Sequence, residues 1–304
     1  MKKNCGPVQS MVEALRIDDW RLKAILIHTL CVPVVLGYML CSGPKIDPGA
    51  TARLYGSRGS QLFVEGNLAG AIKEYQKAYV QAARVDLPLL QAQYLFNIGR
   101  VWYEAGELDS ADQALQAAYR EFSYYKDSSN AGVAAGFIAL VFCHAGNYDS
   151  AFAWYQKGRP KELRKNSETA FWLTIQARIS LLKNRIPEAS AWLDRAYEGY
   201  KKDKSWNGMA QVEYNRAAIA YSQARYEDAR LLLASSLELL DKTPERYRRW
   251  RALLASATVG FCLQDNESGE RFYRRGIDCI PRGVVAAPPL DSIRTCPKKF
   301  PDGF

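Results

Sequence analysis

A chain of 304 residues with 48% hydrophobic side chains can bury a large core, which excludes a chain too polar to fold. Its net charge of +9, from 41 basic and 32 acidic residues, permits an acidic partner or an anionic surface without demanding nucleic acid. Seven cysteines occur with no Cys-x-x-Cys, so no zinc or thioredoxin-like site is supported.

The first element differs in kind from the rest. Up to residue 41 the chain carries Lys2, Lys3, Arg16, Arg21 and Lys23 against Glu13, Asp18 and Asp19, a balance of +2 that leaves about +7 on the remainder. Ala24 to Cys41, within "RLKAILIHTLCVPVVLGYMLCSGPK", is apolar apart from His28, Thr29, Pro33 and Gly37, and is just long enough to cross a bilayer. Basic residues precede the run and a Ser-Gly-Pro turn follows it, the layout of a secretory signal or an uncleaved signal anchor. "MLCSG" is similar to the end of a bacterial lipoprotein signal, and the resemblance implies Cys41 as the acylated residue. Either way residues 1–23 form a basic leader or a short cytoplasmic tail, and the rest of the chain is held at a bacterial membrane on the periplasmic side. Residues 42–51, "SGPKIDPGAT", read as a short spacer.

From residue 52 to 283 one pattern recurs. The segments "GNLAGA", "GELDSA", "GNYDSA", "NRIPEA", "ARYEDA" and "QDNESG" end at Ala71, Ala111, Ala151, Ala189, Ala229 and Gly269, with spacings of 40, 40, 38, 40 and 40. A large residue follows four positions later (Tyr75, Leu115, Tyr155, Leu193, Leu233, Tyr273) and a small one precedes by twelve (Gly59, Gly99, Ala139, Ala177, Ala217, Ala257). Small residues let two antiparallel helices approach, and large ones fill the groove between them. Gly and Asn near the start of the segments suit a chain reversal. The pattern predicts twelve helices, with turns near Gly66, Gly106, Gly146, Asn184, Ala224 and Gln264.

In these residues the chain resembles the tetratricopeptide repeat family, with a period longer than the usual 34 residues. The resemblance implies an all-α, right-handed superhelical solenoid of antiparallel helix pairs, with a concave groove lined by the first helix of each pair. Transferred to this chain, the family's groove positions include Arg53 and Phe63; Gln93, Phe96, Asn97, Arg100, Tyr103 and Glu104; Leu140 and His144; Phe171, Thr174 and Arg178; Gln211, Tyr214, Asn215 and Tyr221; Arg251, Leu254 and Thr258. Of these, Asn97, Arg100, Tyr103, Arg178, Tyr214 and Asn215 have the chemistry to hold an extended segment: amides for its backbone, arginines for its carboxylates, aromatics for its side chains. Asn215 lies in a repeat resembling those of co-chaperones that hold a terminal carboxylate, and would by that resemblance contact the ligand backbone; Thr174, Arg178 and Ala255 depart from the rest of that clamp.

No nucleophile elbow, P-loop, dinucleotide fingerprint or zincin motif is present, so no catalytic residue, metal or cofactor is expected. Cys143 and His144 are neighbours on a helix and point about 100° apart, so they do not face each other. Cys279 and Cys296 could bridge and pin the tail of residues 284–304, a Pro-rich stretch that reads as extended. The sequence therefore points to a non-enzymatic scaffold or adaptor. Its groove takes a protein or peptide segment, and its membrane contact runs through residues 24–41 or an acylated Cys41. The alternative is a soluble cytoplasmic regulatory or RNA-binding solenoid, with residues 24–41 as a packed helix.

Overall fold

The computed structural model describes residues 47–160, 167–244, 248–281, 289–297 and 300. The apolar run 24–41, with Cys41, lies outside the described residues, as does the spacer up to residue 46. The chain divides into Met1–Ala50 and Thr51–Phe304, and the helices belong to the second unit apart from the first residue of α1. Among the described residues there is no strand. Twelve helices form six antiparallel pairs: α1 (Ala50–Val64) with α2 (Leu68–Arg84), α3 (Pro88–Ala105) with α4 (Leu108–Tyr124), α5 (Ser128–His144) with α6 (Tyr148–Gly158), α7 (Ser167–Leu182) with α8 (Ile186–Lys202), α9 (Trp206–Ser222) with α10 (Tyr226–Asp241), and α11 (Arg249–Cys262) with α12 (Asn266–Asp278). A short α13 (Leu290–Arg294) follows.

The turn residues within all six pairs are left-handed: Gly66, Gly106 and Gly146 at φ 79°, 82° and 71°, and Asn184, Ala224 and Gln264 at 55°, 56° and 61°. Asp86, Lys126 and Lys204 do the same between pairs. The next residue's N–H then bonds the carbonyl five residues back, as in Asn67 to Leu62, Glu107 to Trp102 and Asp265 to Gly260. This satisfies an otherwise orphaned helix carbonyl. In four turns that same residue caps the next helix: the side chains of Asn67, Asp127, Asn147 and Asp265 accept from the backbone N–H three residues on. One tight turn thus ends one helix and starts the next.

Packing follows the small-large alternation. Ala71, Ala111, Ala151, Ala189 and Ala229 are fully buried, as are Leu115, Leu193 and Leu233. Burying each such leucine contributes about 1.5–3 kcal/mol. The small residue twelve before the anchor seats the large one: a Cβ on Gly99 would lie 2.6 Å from Leu115, and one on Gly59 would lie 2.8 Å from Tyr75. In the sixth pair, where Gly269 replaces alanine, Phe261 fills the space. Successive first helices also meet one another, α3 with α5, α5 with α7 and α7 with α9, which builds the inner face of the stack.

The tail departs from expectation in two ways. Leu290–Arg294 is helical where an extended chain was expected. Cys296 bonds Cys262, with a Cα–Cα distance of 4.9 Å, and Cys279 is free. The reason is that α13 docks on α11, with Ile293 packed against Ala257 and Phe261. That delivers Cys296 to the C-terminal end of α11, where Cys262 stands, rather than to the end of α12.

Candidate functional site

The last turns of α3 and α5, the middle of α7 and the beginnings of α9 and α11 converge on one recess. The α3 side begins with Arg100, whose guanidinium lies over Phe63, Phe96 and Phe137 at 5.6, 5.7 and 5.5 Å, one ring from each of the first three pairs. Such contacts hold a cation in place while keeping its charge. One helical turn on, Glu104 faces Arg248 at 3.1 Å and Arg251 at 3.7 Å. Arg251 Nη2 also donates to the Glu104 carbonyl at 3.3 Å. The glutamate side chain is 15% exposed. Burial works against its charge, but Arg248, Arg251, Arg100 and His144 outweigh it and hold the carboxyl below the usual glutamate range. The first helix of the second pair is thereby tied to that of the sixth.

Beside Glu104, Tyr103 accepts a hydrogen bond from Arg178 Nη1 at 3.3 Å, and its ring lies 5.6 Å from that of His144. Arg178 is 8% exposed. It borders two cavities. One, of about 70 Å³, is walled by Tyr103, Glu104, His144, Arg178, Gln211, Tyr214, Arg248, Trp250 and Arg251, among others. Among the described residues its lining includes three arginines and one acid. The other, of about 300 Å³, is walled chiefly by apolar side chains, including Leu181, Leu182, Ile186, Ala218 and Ile219. A charged niche and an apolar one are therefore both bordered by Arg178. This arrangement can hold an anionic group and an apolar side chain of the same ligand.

Of the six residues singled out in the sequence, Tyr103, Arg178 and Tyr214 line the charged recess together. Arg100 stands a turn away in its aromatic cage. Asn97 Oδ1 accepts from Gln93 Nε2 at 3.4 Å, and Asn215 Oδ1 from Gln211 Nε2 at 3.2 Å, the same amide pair in the second and fifth repeats. Asn215 is fully buried, so it supports Gln211 from behind instead of presenting itself to a ligand backbone. Arg248, Trp250 and Asn207 were not found from the sequence, because they precede the groove positions at the starts of their helices. Burial pushes the Cys143 thiol up to about 11 against the opposing effect of Arg178, so it stays protonated and is no nucleophile. Among the described residues no cluster of three or more His, Cys, Asp or Glu side chains is placed to hold a metal. Among them too, no helix is long and apolar enough to cross a membrane.

Comparison with solved structures gives helical repeat proteins. The chain is similar to the Rap conjugation gene regulator of plasmid pLS20, solved in complex with a Phr peptide, at a TM-score of 0.63 and 16% identity, over 84% of this chain and 67% of that one. The fold is a tetratricopeptide-like solenoid. A Rap protein complexed with Competence and Sporulation Factor matches at a TM-score of 0.56 and 14% identity, over 94% of this chain and 92% of that one. The apo form of the quorum sensor NprR from B. thuringiensis matches at 0.52 and 14%, over 90% and 91%. No family model and no curated protein matches the sequence.

Proposed function

We propose that this protein is a non-enzymatic adaptor that binds an extended, acidic segment of a partner in the recess between its second and sixth repeats. The observation that carries this reading is the recess wall: Arg178, Arg248 and Arg251, drawn from repeats four and six, line one space together with Glu104, the one carboxylate among its described lining residues. A ligand carboxylate would add to the charge balance there, and an adjoining apolar side chain would enter the niche beyond Arg178. Two of the similar structures are of proteins with a bound peptide or factor, which agrees with such a use of the fold. The adaptor is held at a bacterial membrane and faces the periplasm, through residues 24–41 as an uncleaved anchor or through an acylated Cys41; the basic flank and apolar run of the sequence support this part.

The test uses the full chain in detergent micelles and a fluorescent extended peptide of alternating Asp and Glu, against its Asn/Gln isostere. The acidic peptide binds more tightly, and its advantage shrinks as salt is raised. Equal binding of the two peptides overturns the reading.

A further inference from the structure

Phe300 is 4% exposed, although it lies in a Pro-rich tail. Its ring stands edge-on to Tyr214 at 5.3 Å and to Tyr221 at 5.2 Å, and it belongs to the core built by α7 to α11. Tyr214 also lines the charged recess, so one tyrosine borders both places. Between Phe300 and the stack the tail is held at two further points. Tyr221 Oη donates to the Pro297 carbonyl at 2.5 Å, and Cys296 is bonded to Cys262. Burial, with Tyr226 nearby, pushes the Tyr221 hydroxyl up to about 12, so it remains a donor at any physiological pH.

We propose that Tyr214 and Tyr221 form a seat for an aromatic side chain, that Phe300 is its tethered occupant, and that a partner segment bearing an aromatic residue near its carboxylate takes the seat by displacing Phe300. This deepens the adaptor reading and rests on it. The chemistry is stated by the occupant: a phenyl ring placed edge-on between two tyrosine rings, followed back along the chain by a backbone carbonyl facing a phenol. Both are features that any extended segment with an aromatic residue can reproduce. The bond at Cys296, four residues before Phe300, keeps the ring near the seat at high effective concentration, so the free seat is rare while the bond is intact. A partner must then compete with an intramolecular ligand, and the disulfide sets how hard that competition is.

The probe is a fluorescein-labelled synthetic peptide of residues 289–304 with Cys296→Ser, titrated by anisotropy against the full-length protein in micelles. The Phe300→Ala protein should bind it at least ten-fold more tightly than the unmodified protein, and the Cys262→Ser/Cys296→Ser protein at least three-fold more tightly. The same peptide carrying Phe300→Ala should bind none of them measurably. Should Phe300→Ala fail to keep its far-UV circular dichroism spectrum, the double-serine protein, with its ring intact, decides the matter. No gain in affinity on freeing or emptying the seat overturns the proposal, as does equal binding of the phenylalanine-free peptide. Capture of the acidic peptide through Arg178, alongside failure of the aromatic one, overturns the seat and leaves the adaptor reading standing.

Discussion

Arg178 and Tyr103 are joined by a hydrogen bond of 3.3 Å between a guanidinium and a phenol 75 residues apart. One belongs to the fourth repeat and the other to the second, so the bond passes over the third. The third pair flanks it with rings: Phe137 and His144 of α5 stand 6.2 and 5.6 Å from the ring of Tyr103.

The charge and the bond of Arg178 can be separated. Arg178→Met removes the charge and keeps most of the apolar stem, while Tyr103→Phe removes the bond and keeps the charge. The methionine variant should lose about ten-fold or more in affinity for an acidic peptide, a difference of about 1.4 kcal/mol, and the phenylalanine variant should lose far less. Equal losses would show that the bond, rather than the charge, shapes the recess.

Glu104 gives the stack a pH dependence. Its carboxyl ionises more readily in the folded protein than in the unfolded chain, whose ordinary value is 4.5. The folded state therefore holds fewer protons, and the stabilisation is fully present above that value. It is lost as pH falls through the lower folded value. Glu104→Gln should lower stability at pH 7 by about 1.5–3 kcal/mol, the range for hydrogen bonds to charged groups, and the variant should lose less on acidification than the parent. Urea midpoints at pH 7 and pH 3.5 test this, and parallel losses in both proteins would exclude Glu104 as the titrating group.

Enlarging a crossing alanine should be costly. Ala151 is fully buried where α6 meets α5. Ala151→Leu overpacks the contact and should cost about 1–3 kcal/mol, which for a chain of this size lowers the melting temperature by roughly 2–4 °C per kcal/mol. An unchanged melting temperature would show that the crossing yields easily.

The membrane reading has its own check. Val34→Asp with Leu36→Asp places two charges in the apolar run, each costing about 2.5–3.5 kcal/mol on the insertion scale. The protein should then leave the membrane fraction or fail to be exported. For the lipid, Cys41→Ser should abolish fatty-acid labelling if the parent is labelled, and label retained on the serine variant would put the acyl chain elsewhere.

The turns were legible because their signal is local. A small residue at a fixed distance from a large one marks a helix crossing, and the chain must reverse between crossings. This held even at Ala224 and Gln264, which are poor left-handed residues, since the pattern on either side fixed the reversal. The groove residues were legible as a set, because successive first helices place equivalent positions on one face. Their pairing was not. Glu104 and Arg251 were both recognised as groove positions, yet nothing near either residue signals that the curve of the stack brings them together across 147 positions. The bond between Cys262 and Cys296 was not legible either, because Cys296 arrives on a tail with no periodicity to place it.

The tie from Glu104 to Arg248 and Arg251 changes how this solenoid should come apart. A linear array couples each repeat only to its neighbours, so its two ends can fray independently. Here the second and sixth repeats share an ion pair, which turns the array from an open string into a loop. Loss of one internal repeat removes the geometry that the closing pair requires, and loss of that pair frees both flanks. Unfolding of repeats two to six is therefore expected to be a single concerted event, while the first repeat, lying outside the loop, can open alone.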